Sequence, residues 1–267
     1  MSRRFRMTAL AALALTGPIT TAEAAPILHL STRSLPISGF PHTGNIAGAG
    51  ASLSAELTIM GTEYGGYPPP LTHLKLTLPQ GMLWNARGFP TCNRPVLEPG
   101  GPPGPWPAFC PPGSVSEHSG VALLAVTFGT EVVPESTTVE TIYHTGNGVS
   151  IYVSGPNPVL VEDDLTTGLF TQHAAALAFE VGFPLLETVP NAEYVSTLSV
   201  GFDLGTGFIS TSGKHIFSLH MPRRCPQHRL LFQVEADFAG MGPLPGQKAV
   251  ASYRAPCPKD LLRAKSG

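Results

Sequence analysis

The sequence predicts an all-β protein, an antiparallel β-sandwich of about ten strands joined by long loops rich in proline and glycine. Three observations predict it. Of 267 residues, 29 are Gly and 28 are Pro, and both interrupt helices, glycine through its entropic cost and proline through its missing N–H. Apolar residues make up 42% and charged residues only 13%, and the mean hydropathy is +0.12. Such a chain is too apolar for disorder and too poor in charge for a coiled coil or a basic nucleic-acid binder. Apolar residues also recur at alternate positions in many short segments, and no segment carries a 3.6-residue period.

Each element follows from that alternation. Leu53, Ala55, Leu57 and Ile59 face one way against Ser52, Ser54, Glu56 and Thr58. Leu74, Leu76 and Leu78 repeat the pattern against His73, Lys75 and Thr77. Further runs lie at residues 121–128, 137–144, 149–153, 174–181, 194–203, 216–219, 230–238 and 249–254, bounded by Gly, Pro and Asn. Asn147-Gly148, between apolar runs, is a strong hairpin signal. Two short pieces, near Asp163–Phe170 and Asp260–Ala264, are the helix candidates. Strands of this kind bury their apolar faces as two packed sheets, with an up-and-down barrel as the rival arrangement. The expected organisation is one domain over residues 25–267, with a possible seam near 155–172 dividing two abutting halves. Leu76–Cys92 and Leu219–Cys225 share a strand–Pro–Cys arrangement, read equally well as a faint repeat or as coincidence.

The first 24 residues read as a secretory signal. Arg3, Arg4 and Arg6 form a basic region, residues 7–15 (MTALAALAL) a short apolar core, and Ala22-Glu23-Ala24 a small-x-small cleavage pattern, which predicts a mature start at Ala25. The apolar run is too short for a permanent anchor. After cleavage, 13 basic and 17 acidic side chains remain, a formal charge of −4. That balance predicts no attraction to nucleic acid or anionic membrane, and places the protein outside the cell or in the periplasm.

Four cysteines in an exported chain point to disulfides, with three pairings possible. The local pairing, Cys92–Cys110 with Cys225–Cys257, is the expected one, since each pair brackets a Pro-rich stretch or a strand and its return. The alternative use of Cys225, His228, His220 and Cys257 is as zinc ligands. Leu76-Thr77-Leu78-Pro79-x-Gly81, Phe89-Pro90-Thr91-Cys92, Cys110-Pro111-x-Gly113-Ser114, Cys225-Pro226 and Ala255-Pro256-Cys257 together resemble a group of exported bacterial β-rich proteins with two Cys-Pro-flanked disulfides and no assigned activity. The resemblance implies secretion, an all-β architecture and the local pairing; it carries no catalytic or binding residue.

Signatures of catalysis are weak throughout. The nine histidines are scattered without a His-x-x-x-His pair, and Gly-x-Ser-x-Gly does not occur. Histidines 73 and 144 read as surface residues. Glu162-Asp163-Asp164 is the densest acidic cluster; its members diverge in direction, so a solvated helix start is favoured over a calcium site or a glycosidase pair. Gly48-Ala49-Gly50 precedes a strand and lacks a following Lys-Ser/Thr, so it reads as a flexible lead-in and not a phosphate loop. No cofactor is expected. The unusual segment is residues 95–113 (PVLEPGGPPGPWPAFCPPG), where Trp106 and Phe109 sit in extended Pro-rich backbone. Tyr64 and Tyr67 occupy a similar stretch, GTEYGGYPPP. Rigid aromatic loops suit binding of an envelope glycan or another surface protein; the opposing reading is that they fold back over an open end of the sheets. The functional expectation is an exported, non-catalytic protein acting through its loops. The alternative is a carbohydrate-directed protein, a sugar-binding module or glycan hydrolase with Trp106 or Trp84 as its platform.

Overall fold

The computed structural model describes residues 25–35, 37, 48–85, 88–92, 110–128, 131–143, 147–155, 161–173, 176–186, 194–225, 229–242 and 244–257, without the side chains of 127–128, 161–167 and 173. Among these residues there are strands and turns and no helix. The strands are β1 (Ile27–Leu35), β2 (Ser52–Met60), β3 (Leu71–Thr77), β4 (Leu83–Trp84), β5 (Gly120–Phe128), β6 (Glu131–Tyr143), β7 (Gly148–Gly155), β8 (Val161–His173), β9 (Ala176–Gly182), β10 (Ser196–Leu204), β11 (Gly207–Ile209), β12 (His215–Phe217), β13 (Leu219–His220), β14 (Arg229–Phe238) and β15 (Gln247–Pro256). The helix expected over Asp163–Phe170 is instead part of β8. That strand is hydrogen-bonded on both edges, to β7 and to β9, and inserts Phe170 into the core. Pairing and burial outweigh the helix-start signal of the acidic triplet, as tertiary context commonly does for short segments. The other helix candidate, Asp260–Ala264, lies outside the described residues, as does the segment read as a signal.

Eleven strands form one sheet in the order β1-β2-β10-β5-β6-β7-β8-β9-β3-β14-β15. Every neighbouring pair is antiparallel. The two ends of the sheet, β1 and β15, lie alongside one another, so the sheet curls nearly into a barrel. Among the described residues no ladder joins them. Parity explains the gap. With alternating direction across eleven strands, β1 and β15 run the same way, so closure would need a parallel pair in an otherwise antiparallel sheet, whose hydrogen bonds slant differently.

The inner face carries the alternating apolar residues anticipated for β2 and β3: Leu53, Ala55, Leu57 and Ile59, then Leu74 and Leu76, are all buried. One end of the curled sheet is closed by aromatic side chains. Trp84 on β4 stacks on Phe170 with centroids 3.9 Å apart and planes 11° apart, and Tyr143 tilts against Trp84 at 5.4 Å. The Tyr143 hydroxyl accepts a 2.7 Å hydrogen bond from the Gly205 N–H. β4 pairs with β13, so the two strand–Pro–Cys segments noted above meet directly. Gly50 and Gly205 belong to the same plug. A Cβ at Gly50 would land on the Phe217 ring, and one at Gly205, whose φ is +103°, would strike the Ala51 carbonyl. Only glycine leaves room there.

Outside the sheet, a second small core covers β6 and β7. Cys92, Ile142 and Tyr152 are buried together, with Cys110 and Val115 packed against them. Where β5 stops short, residues 114–116 take over the edge of β6: Tyr143 N–H donates to the Ser114 carbonyl (2.7 Å) and Ser116 N–H to the Thr141 carbonyl (2.8 Å). Two disulfides are present, Cys92–Cys110 with Cα atoms 5.1 Å apart and Cys225–Cys257 with Cα atoms 6.1 Å apart.

Candidate binding cleft

The seam between β1 and β15 opens into a cleft of about 430 Å³, within the usual size range of small-molecule sites. Its shape follows from the inward residues of the two edge strands. On β1 these are Leu28, Leu30, Thr32 and Ser34 in turn; on β15 they are Ala249, Ala251, Tyr253 and Ala255, and they grow less buried along the strand. Because both strands run the same way, the apolar Leu28 and Leu30 lie at the closed end of the seam. The short polar side chains of Thr32 and Ser34, with the small Ala255, leave space toward the other end, where all three line the cleft. The floor is apolar: Leu53, Met82, Met221, Leu230 and Phe232 line it and are buried. Cys257 also lines it, and its bond to Cys225 fastens the end of β15 beside the opening.

Polar groups are few here. Thr32 is 8% exposed, and its hydroxyl has no hydrogen-bond partner among the described residues. A buried hydroxyl left without a partner costs free energy that a ligand donor or acceptor would recover. Ser34 Oγ donates to Met221 Sδ at 3.9 Å. Arg33 is exposed and lines the cleft mouth. Arg33 also starts a row across the outer face, since Arg33 pairs with Ser54 and Ser54 with Asp203. Burial pushes the Asp203 carboxyl up, opposed in part by His118, a hydrogen bond from Ser54 and the charge of Arg33.

Two further carboxyls, both on β6, are also raised by burial. Glu135 is 1% exposed and points inward beside Gly155, near Thr137. Glu140 stands opposite Tyr152 on the outer face, half-buried, and is pushed up to about 7. Neither Glu135 Oε1 nor Glu140 Oε2 has a hydrogen-bond partner among the described residues. A carboxyl whose folded pKa exceeds its unfolded value binds its proton more tightly when folded, so stability falls as pH rises between the two values. For Glu140 that window runs from 4.5 to about 7. Glu140→Gln, which mimics the neutral acid, is therefore expected to raise the urea midpoint above the parent's at pH 8 and to match it at pH 4. An equal effect at both pH values would place the cause elsewhere.

The sequence-predicted site residues fare unequally. The four cysteines pair locally, which removes the thiols of Cys225 and Cys257 from metal coordination. His228 lies outside the described residues. His220 is turned into the plug, its ring nitrogens 3.2 Å from the Gly48 and Phe217 carbonyls. Trp106 and Phe109 lie outside the described residues. Tyr64 and Tyr67 bridge each other through paired backbone hydrogen bonds of 2.8 and 3.0 Å and are partly buried; the Tyr64 hydroxyl accepts from the Tyr194 N–H at 3.0 Å. Trp84 is not an open platform, because Phe170 occupies one face of its ring. His73 faces outward, 3.8 Å from Asp237. The backbone of Glu162-Asp163-Asp164 is in β8. No local sequence pattern marks the cleft, because its walls are the two terminal strands of the sheet. Their only signal was the fall from leucine to threonine and serine along Leu28–Ser34 and the small residues of AVASYRAP.

Among the described residues no helix is long and apolar enough to cross a membrane, and no group of three or more His, Cys, Asp or Glu side chains is placed to hold a metal ion. Compared with known proteins, the chain matches no family model, no curated protein and no solved structure.

Proposed function

We propose that this is an exported, non-catalytic protein that works by binding a small apolar molecule in the seam cleft. The observation that carries this reading is the cleft itself: ligand-sized, floored by buried Leu, Met and Phe, and provided with a Thr32 hydroxyl that has no partner among the described residues. Sites that hold small molecules combine such an apolar lining with a few directed polar groups. Two disulfides suit an oxidising compartment, in keeping with the signal-like N-terminus. The binding surface thereby moves from the loops, where the sequence pointed, to the edge of the sheet. Leu30, Leu57 and Phe202 meet Leu74, Leu76 and Val234 across the interior, which supports describing the curled sheet as two facing halves, the sandwich expected from the sequence.

The test is fluorescence titration of the oxidised chain beginning at Ala25 with the apolar dye N-phenyl-1-naphthylamine. Saturable binding with one site per chain is expected, lost when Ala255→Phe fills the cleft. Binding that never saturates, or that ignores the substitution, overturns the reading. The carbohydrate reading is tested by co-sedimentation with cell-wall and insoluble polysaccharide fractions, alongside Trp106→Ala.

A further inference from the structure

We infer that the cleft selects an unbranched apolar chain ending in a single carboxylate, with the chain on the methionine–leucine floor and the head group at Arg33. The inference rests on the apolar-ligand reading above and adds the chemistry of the head. Among the described lining residues Arg33 alone carries a charge, and it stands at the mouth, next in sequence to Thr32. An anion entering there meets the guanidinium fork, whose planar donors match a carboxylate. The buried Thr32 hydroxyl, which has no hydrogen-bond partner among the described residues, lies beside it on the inward face of β1 and supplies a donor to the interior of the cleft. Of the other lining side chains, Ser34 and Tyr253 carry hydroxyls, whereas Leu53, Met82, Met221, Leu230 and Phe232 have no hydrogen-bonding groups beyond weak thioether sulfur. A cationic head would be placed against Arg33, and a neutral one would leave its charge unanswered.

The shape points the same way. The methionines at 82 and 221, both buried, are flexible and polarizable, and adapt to a linear chain better than branched residues do. Asp203 is the competing partner for Arg33. It sits two strands away along the row through Ser54, where burial raises its carboxyl and the charge of Arg33 opposes that rise.

Isothermal titration with decanoate, decanol and decyltrimethylammonium tests the inference on the oxidised chain beginning at Ala25. Decanoate is expected to bind one per chain and more tightly than the other two. Arg33→Gln, at an exposed position that leaves folding intact, is expected to weaken decanoate about fivefold and leave decanol unchanged; Thr32→Val reports the buried hydroxyl independently. Equal binding of decanol and decanoate, unaltered by Arg33→Gln, overturns the carboxylate preference and leaves the apolar-ligand reading standing. Failure of every probe, the apolar dye included, removes both. Flotation with phosphatidylglycerol vesicles without decanoate binding would identify a membrane surface as the partner, and a dimer that dissociates in Ala255→Phe would make the cleft an interface between copies; either result overturns the inference.

Discussion

Replacing Cys225 and Cys257 together by serine is expected to lower the stability of the folded chain by about 3–4 kcal/mol, read as the shift of the urea midpoint under oxidising conditions. The bond closes a loop with a sequence separation of 32, and the chain-entropy account gives that magnitude for a loop of such length. At the size of this protein the melting temperature should fall by roughly 10 °C. The position of the bond adds a second consequence. Among the described residues β15 pairs only with β14, and its other edge faces the seam. Cys257, which lines the cleft, is the point where the end of that strand is fastened. The double variant should therefore also lose the apolar dye. The companion double variant at Cys92 and Cys110 gives the contrast. It should cost about 3 kcal/mol and leave dye binding intact, because that bond holds the outer cluster around Ile142 and Tyr152. Loss of dye binding in both variants, or in neither, would dissociate the Cys225–Cys257 bond from the cleft.

Phe179→Ala should be the most damaging single core substitution tested, with a loss of about 3–5 kcal/mol. Phe179 is fully buried on β9. Its ring lies 5.1 Å from Phe170 and 5.8 Å from Phe202, so it joins the plugged end to β10 on the other side of the interior. Gly168 on β8 makes room for the ring: a Cβ there would come within 2.8 Å of it. Removing the ring leaves a cavity between strands far apart in the sheet order, which the backbone is too constrained to close. Val250→Ala is the control. Val250 is 62% exposed on β15, and its truncation should change the midpoint by less than about 0.5 kcal/mol. Similar losses at the two positions would contradict the placement of Phe179 in the core.

Much of the fold was legible because strand periodicity is a local property. Side chains alternate at every second residue, so Leu53–Ile59, Leu74–Leu76 and Leu230–Phe238 announced their buried faces in isolation. Asn147-Gly148 marked a hairpin that does join β6 to β7. β1 and β8 escaped. Residues 27–35 turn from leucine to threonine and serine halfway along, which weakens the alternation. Residues 161–173 open on three acids, and only their neighbours on both sides make them a strand.

By itself the sequence determined the class: all-β, antiparallel and stapled by local disulfides. Proline, glycine and two-residue periodicity act within a few residues of each other, and sequential cysteine pairs bracket short returns. Only the tertiary structure decided how the sheet curls, that eleven strands leave β1 and β15 running in the same direction with no ladder between them among the described residues, and that a cleft opens there. Those outcomes depend on which strands become neighbours, and Ile27–Leu35 and Gln247–Pro256 stand at opposite ends of the described chain. Their meeting is set by the summed twist and pairing of the nine strands between them in the sheet order, and no local pattern carries that information.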